Sequence, residues 1–173
     1  MSHSISSFIN NFGGGLRPNR FRVTGSVGSN TPNLTFHIRA ASMPASTLST
    51  LLIPYRGRTF KMPGNRTYAT WQISVLDDIA QGGVSLWRPF HDWSEQFNDH
   101  VTNLTTAAQK DFTDKMTTWN VYQLDINGAD LRRITLYNCW PSDVGQVALS
   151  MDTNDELVTF PINLEYSHYD VII

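Results

Sequence analysis

A mainly β fold is predicted: a small β-sandwich or barrel, with one flanking α-helix and a long projecting loop. Three observations carry it. Apolar and polar residues alternate with a period of two in several separate segments, which is the pattern of half-buried strands. Asn127-Gly128 lies between two such runs, and that dipeptide favours a tight hairpin turn. One segment alone switches period: Leu86, Phe90, Trp93 and Phe97 are spaced four, three and four apart, the stripe of a single helix.

In chain order, residues 1–16 are rich in Ser, Asn and Gly, with Gly13-Gly14-Gly15 at the centre. They are expected to be a flexible N-terminal arm, leaving 17–173 as one domain. Phe21 and Val23 alternate with Arg20, Arg22 and Thr24 in a first strand. GSVGSNTPN makes a turn, and Leu34, Phe36 and Ile38 alternate with Thr35, His37 and Arg39 in a second strand. Ala40–Gly64 follows neither period. Its prolines are Pro44, Pro54 and Pro63, and at its centre stands the apolar run Leu51-Leu52-Ile53. So long an irregular segment in a compact domain needs a role, and it reads as an extended hairpin or arm leaving the body. Pro63-Gly64-Asn65 then turns into a strand with Trp71, Ile73 and Val75 on one face and Thr70, Gln72 and Ser74 on the other. After Gly82-Gly83 comes the helix, capped by Ser85. His100–Lys115 reads as a linker with a short helical turn near Ala107. Strands are expected at Trp119–Ile126, Leu131–Cys139, Gly145–Met151 and Leu157–Tyr166, the last pair joined through Asp152-Thr153-Asn154-Asp155. Pro161 cannot donate to a ladder, so its position is an edge, a bulge or a junction.

Composition narrows the function. The 173 residues suit one domain with a sizeable core. Charged residues are 16% of the chain, against about 25% in ordinary globular domains, so partner chains are expected to cover part of the surface. A net charge of −2 gives no general attraction to nucleic acid. The single cysteine, Cys139, forbids an internal disulfide and any CxxC metal motif, and fits synthesis in a reducing cytoplasm. The N-terminal residues lack the pattern of a secretory signal, and no apolar run reaches the roughly 20 residues of a membrane span.

Catalytic constellations are missing. Asp77 and Asp78 are neighbours in an extended segment and so point to opposite faces; they read as a strand end rather than a catalytic pair or metal site. His91 lies beside the helix stripe and Asp92 faces away from it, without the second His of an HExxH motif. His37, His100 and His168 are scattered over different elements, which gives a metal site no support. Cys139 reads as a small apolar filler. No catalytic, cofactor-binding or metal residue is assigned, and no cofactor is expected. The features that remain are those of assembly: low charge, an apolar-centred arm and strands with an uncharged polar face.

Three blocks in this order carry a resemblance: RPNRFRV; SMPAS followed by IPYRGRTFKMPGNRTYATWQISVLDD; and NCWPSDVGQVALSMDTNDELVTFPINLEY. From about Arg17 to Tyr169 the chain resembles the tail tube proteins of contractile-tailed bacteriophages. The resemblance implies a non-enzymatic structural subunit of the virion tail, made in the host cytoplasm. Such subunits form hexameric rings that stack into a hollow tube inside a contractile sheath and conduct DNA into the host. Implied partners are further copies of the chain, the sheath protein, tape-measure and baseplate tube-initiator proteins, and phage DNA in transient contact; no stable membrane binding is implied. On that reading Leu48, Leu51, Leu52, Ile53, Arg56 and Arg58 are expected at contacts between rings, and Gln72, Ser74, Asn163 and Glu165 toward the lumen. A homologous tube protein of a secretion or baseplate-initiator system stays open as an alternative, as does a monomeric β-sandwich binding protein or enzyme.

Overall fold

The structure is a computed structural model; it describes residues 5–12, 15–27, 34–80, 84–105, 112–152 and 155–172. A first helix, α1 (Ile5–Asn11), precedes strand β1 (Phe21–Gly25), a 3-10 turn at Leu34–Phe36 and strand β2 (Ile38–Ala41). Two long strands follow, β3 (Ser46–Tyr55) and β4 (Arg58–Tyr68), then β5 (Trp71–Leu76), the short pair β6 (Ile79–Ala80) and β7 (Val84–Ser85), and helix α2 (Trp87–Glu95). A helical turn α3 (Phe112–Lys115) leads to β8 (Thr117–Leu124), β9 (Asp130–Val144), β10 (Thr159–Glu165) and β11 (His168–Ile172).

The body is one antiparallel sheet in the order β1-β8-β9-β10-β5-β2, with β11 as an additional neighbour of β9. The fifteen-residue β9 makes this possible by changing partners along its length. Its first part lies between β8 and β11, and its last residues pair with β10. The change falls next to Asn138, whose φ of 57° marks an irregular step in the ladder. The sheet stays open, ending at β1 and β2.

Period two decides the core. On β10, Phe160, Ile162 and Leu164 are fully buried while Thr159, Pro161, Asn163 and Glu165 are half-buried. On β5, Trp71, Ile73 and Val75 are buried beside them. Helix α2 lays Phe90 and Trp93 on this apolar face, with Leu86 buried just before the helix and Phe97 half-buried just after it. Phe90 meets Phe160 edge-on with centroids 6.0 Å apart, and Trp71 meets Trp119 at 5.9 Å, the tilted arrangement that ring quadrupoles favour. The three buried indole N–H groups each find an acceptor: Trp71 the carbonyl of Ser42, Trp93 that of Lys115, and Trp119 the hydroxyl of Thr117. An unpaired buried donor would cost about 1–3 kcal/mol at each site.

Several expectations need correction. Leu34–Phe36 is a 3-10 turn, not part of a strand; its three-residue winding buries Leu34 and turns Phe36 to solvent. Pro63-Gly64-Asn65 lies inside β4 rather than in a turn. Among the described pairings β4 meets β3 only, so the missing Pro63 N–H has an open edge, beside a register shift between Leu48 and Thr50. Gly145–Met151 is not a strand. Beyond Val144 the chain leaves β10, with the Gly145 N–H donating to the Pro161 carbonyl at 2.8 Å. A Cβ on Gly145 would stand 2.5 Å from Pro161 Cγ, so the backbone passes too close for a side chain. Pro161 is therefore at a junction, one of the three placements expected of it. The segment expected as Leu157–Tyr166 is the shorter β10, and the chain then turns into β11. Ala107, Gly82-Gly83 and parts of Gly13-Gly14-Gly15, GSVGSNTPN and Asp152-Thr153-Asn154-Asp155 lie outside the described residues.

Candidate assembly surface

Ala40–Gly64 resolves into the end of β2 and most of an unusual element: all of β3, the tip and the first part of β4. Strands β3 and β4 pair only with each other among the described residues. Their residues are exposed or half-buried along the whole length. The tip is a two-residue turn with Arg56 at φ 44° and Gly57 at φ 78°. Positive φ at both central residues is the hairpin geometry that matches strand twist. Directly opposed residues share a face. Leu51 opposes Met62, Ile53 opposes Phe60 and Tyr55 opposes Arg58. One face therefore carries Leu51, Ile53, Tyr55, Phe60 and Met62, all exposed; Leu51 keeps 55% of its surface and Phe60 62%. Leu52, Pro54, Thr59 and Lys61 form the other face. Leu48, Arg56 and Arg58 also lie on this hairpin, so the six residues expected at contacts between rings share one element.

The hairpin is anchored at its base. Tyr68, Tyr166 and Tyr169 form a ring cluster with centroids 5.6 to 6.4 Å apart. The Ser46 hydroxyl lies 3.1 Å from the Tyr169 hydroxyl and accepts from Arg66 at 2.7 Å. The Tyr166 hydroxyl donates to the carbonyl of Ala45. Burial pushes the Tyr166 phenol up to about 12, with nearby Tyr169 adding to it, so it stays a neutral donor. A lone two-stranded hairpin is marginally stable in water. This one extends about 30 Å, at roughly 3.3 Å per residue, with its apolar side uncovered.

A second surface is the polar face of β10 and β5. Asn163 opposes Gln72, and Pro161 opposes Ser74. Thr70 donates to Glu165 Oε1 at 2.6 Å, and Asn163 Nδ2 donates to Asp143 Oδ2 at 3.2 Å. The four residues expected toward a lumen thus fall on two neighbouring strands, with Asp143 added from β9. Its two carboxylates, Glu165 and Asp143, are held by neutral donors. Arg22, on β1, is engaged instead by both Asp130 oxygens at 2.9 Å and stacks over Tyr122. Sequence reasoning missed Asp143, because no periodicity shows where β9 changes partner.

The acidic pair does not converge. The Ser85 hydroxyl donates to both Asp77 oxygens at 2.8 and 2.9 Å and accepts from Trp87 N–H at 3.2 Å. It ties the end of β5 to the first turn of α2. Asp78 lies 3.3 Å from His37 Nε2 through its own oxygen. These acids brace a connection. Cys139 is fully buried, and burial pushes its thiol up to about 12. It is packing, not a nucleophile. His37, His100 and His168 lie on different elements, as expected, but His100 stacks on His91 with centroids 5.2 Å apart, and Glu95 stands beside them. His91 and Glu95 are spaced i, i+4, which the sequence contains; the return of His100 depends on the fold of the loop after α2.

The model for the family described as "Phage tail tube protein" matches residues 8–172. The tail tube protein gp19 of Enterobacteria phage T4 is 25% identical over 154 residues, covering 89% of this chain and 90% of that protein. The tail tube protein of Serratia phage KSP90 is 26% identical over 161 residues, covering 89% and 88%. Among solved structures, a chain of the anti-feeding prophage baseplate superposes with a TM-score of 0.65 at 15% identity, covering 88% of this chain and 92% of that one. A chain of the sheath-tube complex of an extracellular contractile injection system superposes at 0.54 with 19% identity, covering 99% of each. The chain belongs to the phage tail tube protein family.

Proposed function

We propose that this subunit closes into hexameric rings that stack into a hollow tube, and that the hairpin β3–β4 seals one ring to its neighbours. The exposed apolar face of that hairpin carries the reading. Burying Leu51, Ile53, Phe60 and Met62 contributes roughly 1.5–3 kcal/mol each, and six copies per ring multiply the gain. The outer edges of β1, β2 and β11 lack a partner among the described residues and would pair across subunits. Open edges on a monomer are an aggregation hazard that ring closure removes. Gln72, Ser74, Asn163 and Glu165 line the lumen, which presents DNA with a neutral to weakly acidic wall. The same reading gives the tube a sheath protein outside, as in the sheath-tube complex among the solved structures, and tape-measure and tube-initiator proteins at the interior and end, with DNA in passing contact. Synthesis takes place in the host cytoplasm, with no cofactor, no catalysis and no stable membrane contact. The test is Leu52→Asp with Ile53→Asp. The doubly substituted chain keeps its core, stays folded by circular dichroism, and sediments as single subunits or rings. Full-length tubes from that variant would remove the hairpin from the contact between rings.

A further inference from the structure

We propose that His91, Glu95 and His100 form a surface site for a divalent transition-metal ion of the zinc type. One ligand atom from each lies within 4.8 Å of the others. Two imidazoles and one carboxylate are a donor set that zinc accepts, leaving a coordination position for water. His91 and Glu95 are one helical turn apart on α2 and so share a face. His100 returns to that face from the following loop, with Nδ1 3.0 Å from Glu95 Oε1.

The surroundings keep the three groups close together before any ion arrives. The His91 ring packs against the Trp87 ring, 4.7 Å away, and against that of His100. The loop carrying His100 is fixed by Asp99. One Asp99 oxygen accepts from the Val101 N–H, the Thr102 N–H and the Thr102 hydroxyl at 2.7 to 3.1 Å. The Asp99 carbonyl accepts from Asn103, whose φ of 53° completes the turn. Two donors about 2.1 Å from one tetrahedral ion stand about 3.4 Å apart, so the groups must close by about 1.5 Å at most. The His100 side chain is 62% exposed and can supply that movement by rotating off its stack, a change exposed side chains make rapidly. The local charge is mixed: Asp92 Oδ1 lies 3.8 Å from His91 Nδ1, and Arg88 lies 3.7 Å from Asp92 on the far side. A bound ion would clip the end of α2 to the loop that follows it. This site is separate from the hairpin and from the polar sheet face, and stands whether or not those form the tube contacts.

The test is calorimetric titration of the untagged full chain with zinc chloride in a non-chelating buffer. One ion binds per chain, with a dissociation constant on the order of micromolar. His100→Ala, at an exposed position outside the core, weakens binding at least about tenfold, as does Glu95→Gln. His168→Ala leaves it unchanged, and excess magnesium does not compete, because imidazole donors disfavour that ion. Bound zinc also slows proteolysis of the 96–105 loop in the parent chain and not in His100→Ala. Absence of saturable binding, equal affinity in His100→Ala, or displacement by magnesium would overturn the assignment.

Discussion

At the scale of single residues, chemistry that resembles a site turns out to be support. Asp77 receives both its short contacts from the Ser85 hydroxyl, so a carboxylate that sequence could place in a cleft instead fastens a strand to a helix. Cys139 shows the same with a measurable consequence. Its thiol is held neutral in the fold, with its pKa raised from 9.0 to about 12 by burial. The unfolded chain releases that proton first, so it binds fewer protons than the folded chain between about pH 9 and 12, and stability falls as pH rises there. The loss by pH 10 relative to pH 8 is on the order of 1 kcal/mol. Urea midpoints at the two pH values measure this, and Cys139→Ala removes that part of the slope at a cost of about 1 kcal/mol in packing at neutral pH. A midpoint drop of the same size in Cys139→Ala would assign the slope to another group.

At the scale of elements, the hairpin β3–β4 has the least internal support. Its ladder is two strands wide, and its bonds face water on both sides. In dispersed subunits its amides exchange faster than those of β5 and β10; in tubes they become protected. Its tip is a point of local strain. Arg56 adopts φ 44°, a left-handed conformation that Asn tolerates better. Arg56→Asn is therefore expected to slow exchange of the hairpin amides in the dispersed subunit, by a stabilisation of up to about 1 kcal/mol. Faster exchange in that variant would show that the guanidinium stacked on Tyr55, 5.4 Å from its centroid, contributes more than the backbone strain costs.

At the scale of the whole molecule, an open sheet with an uncovered hairpin is a part shaped for an assembly. On the proposed arrangement, ring closure sets the polar face of β5 and β10 around a channel. Six copies of Glu165 per ring would repel phosphate over about 8 Å in physiological salt, enough to keep a duplex off the wall. Glu165→Lys loses the bond from Thr70 but no core contact, so tubes still assemble. DNA then binds inside and leaves slowly, most of all at low salt, because each added cation brings salt-dependent affinity. Ejection kinetics that stay unchanged across a salt series would take Glu165 off the lumen.

The sequence by itself determined the core faces, the helix and the nature of the molecule. Trp71, Ile73 and Val75, and Phe160, Ile162 and Leu164, repeat with period two, and that period is a local property of extended backbone. Asn127-Gly128 was legible for the same reason: Gly128 sits at φ 82°, and Asp125 accepts from Asn127 and Ala129 at 2.7 and 2.9 Å, all within five residues. The tertiary structure alone decided three things. It carried β9 past Cys139 to Val144 because β10 supplies a ladder there, and left Gly145–Met151 without one. It turned Leu34–Phe36 into a 3-10 turn, where alternation can persist although the winding changes. It brought His100 back over His91 and Glu95 through hydrogen bonds to Asp99. The course of β9 depends on which distant strand supplies its hydrogen-bond partner, and the return of His100 on a loop-borne carboxylate; periodicity in one segment carries no information about either.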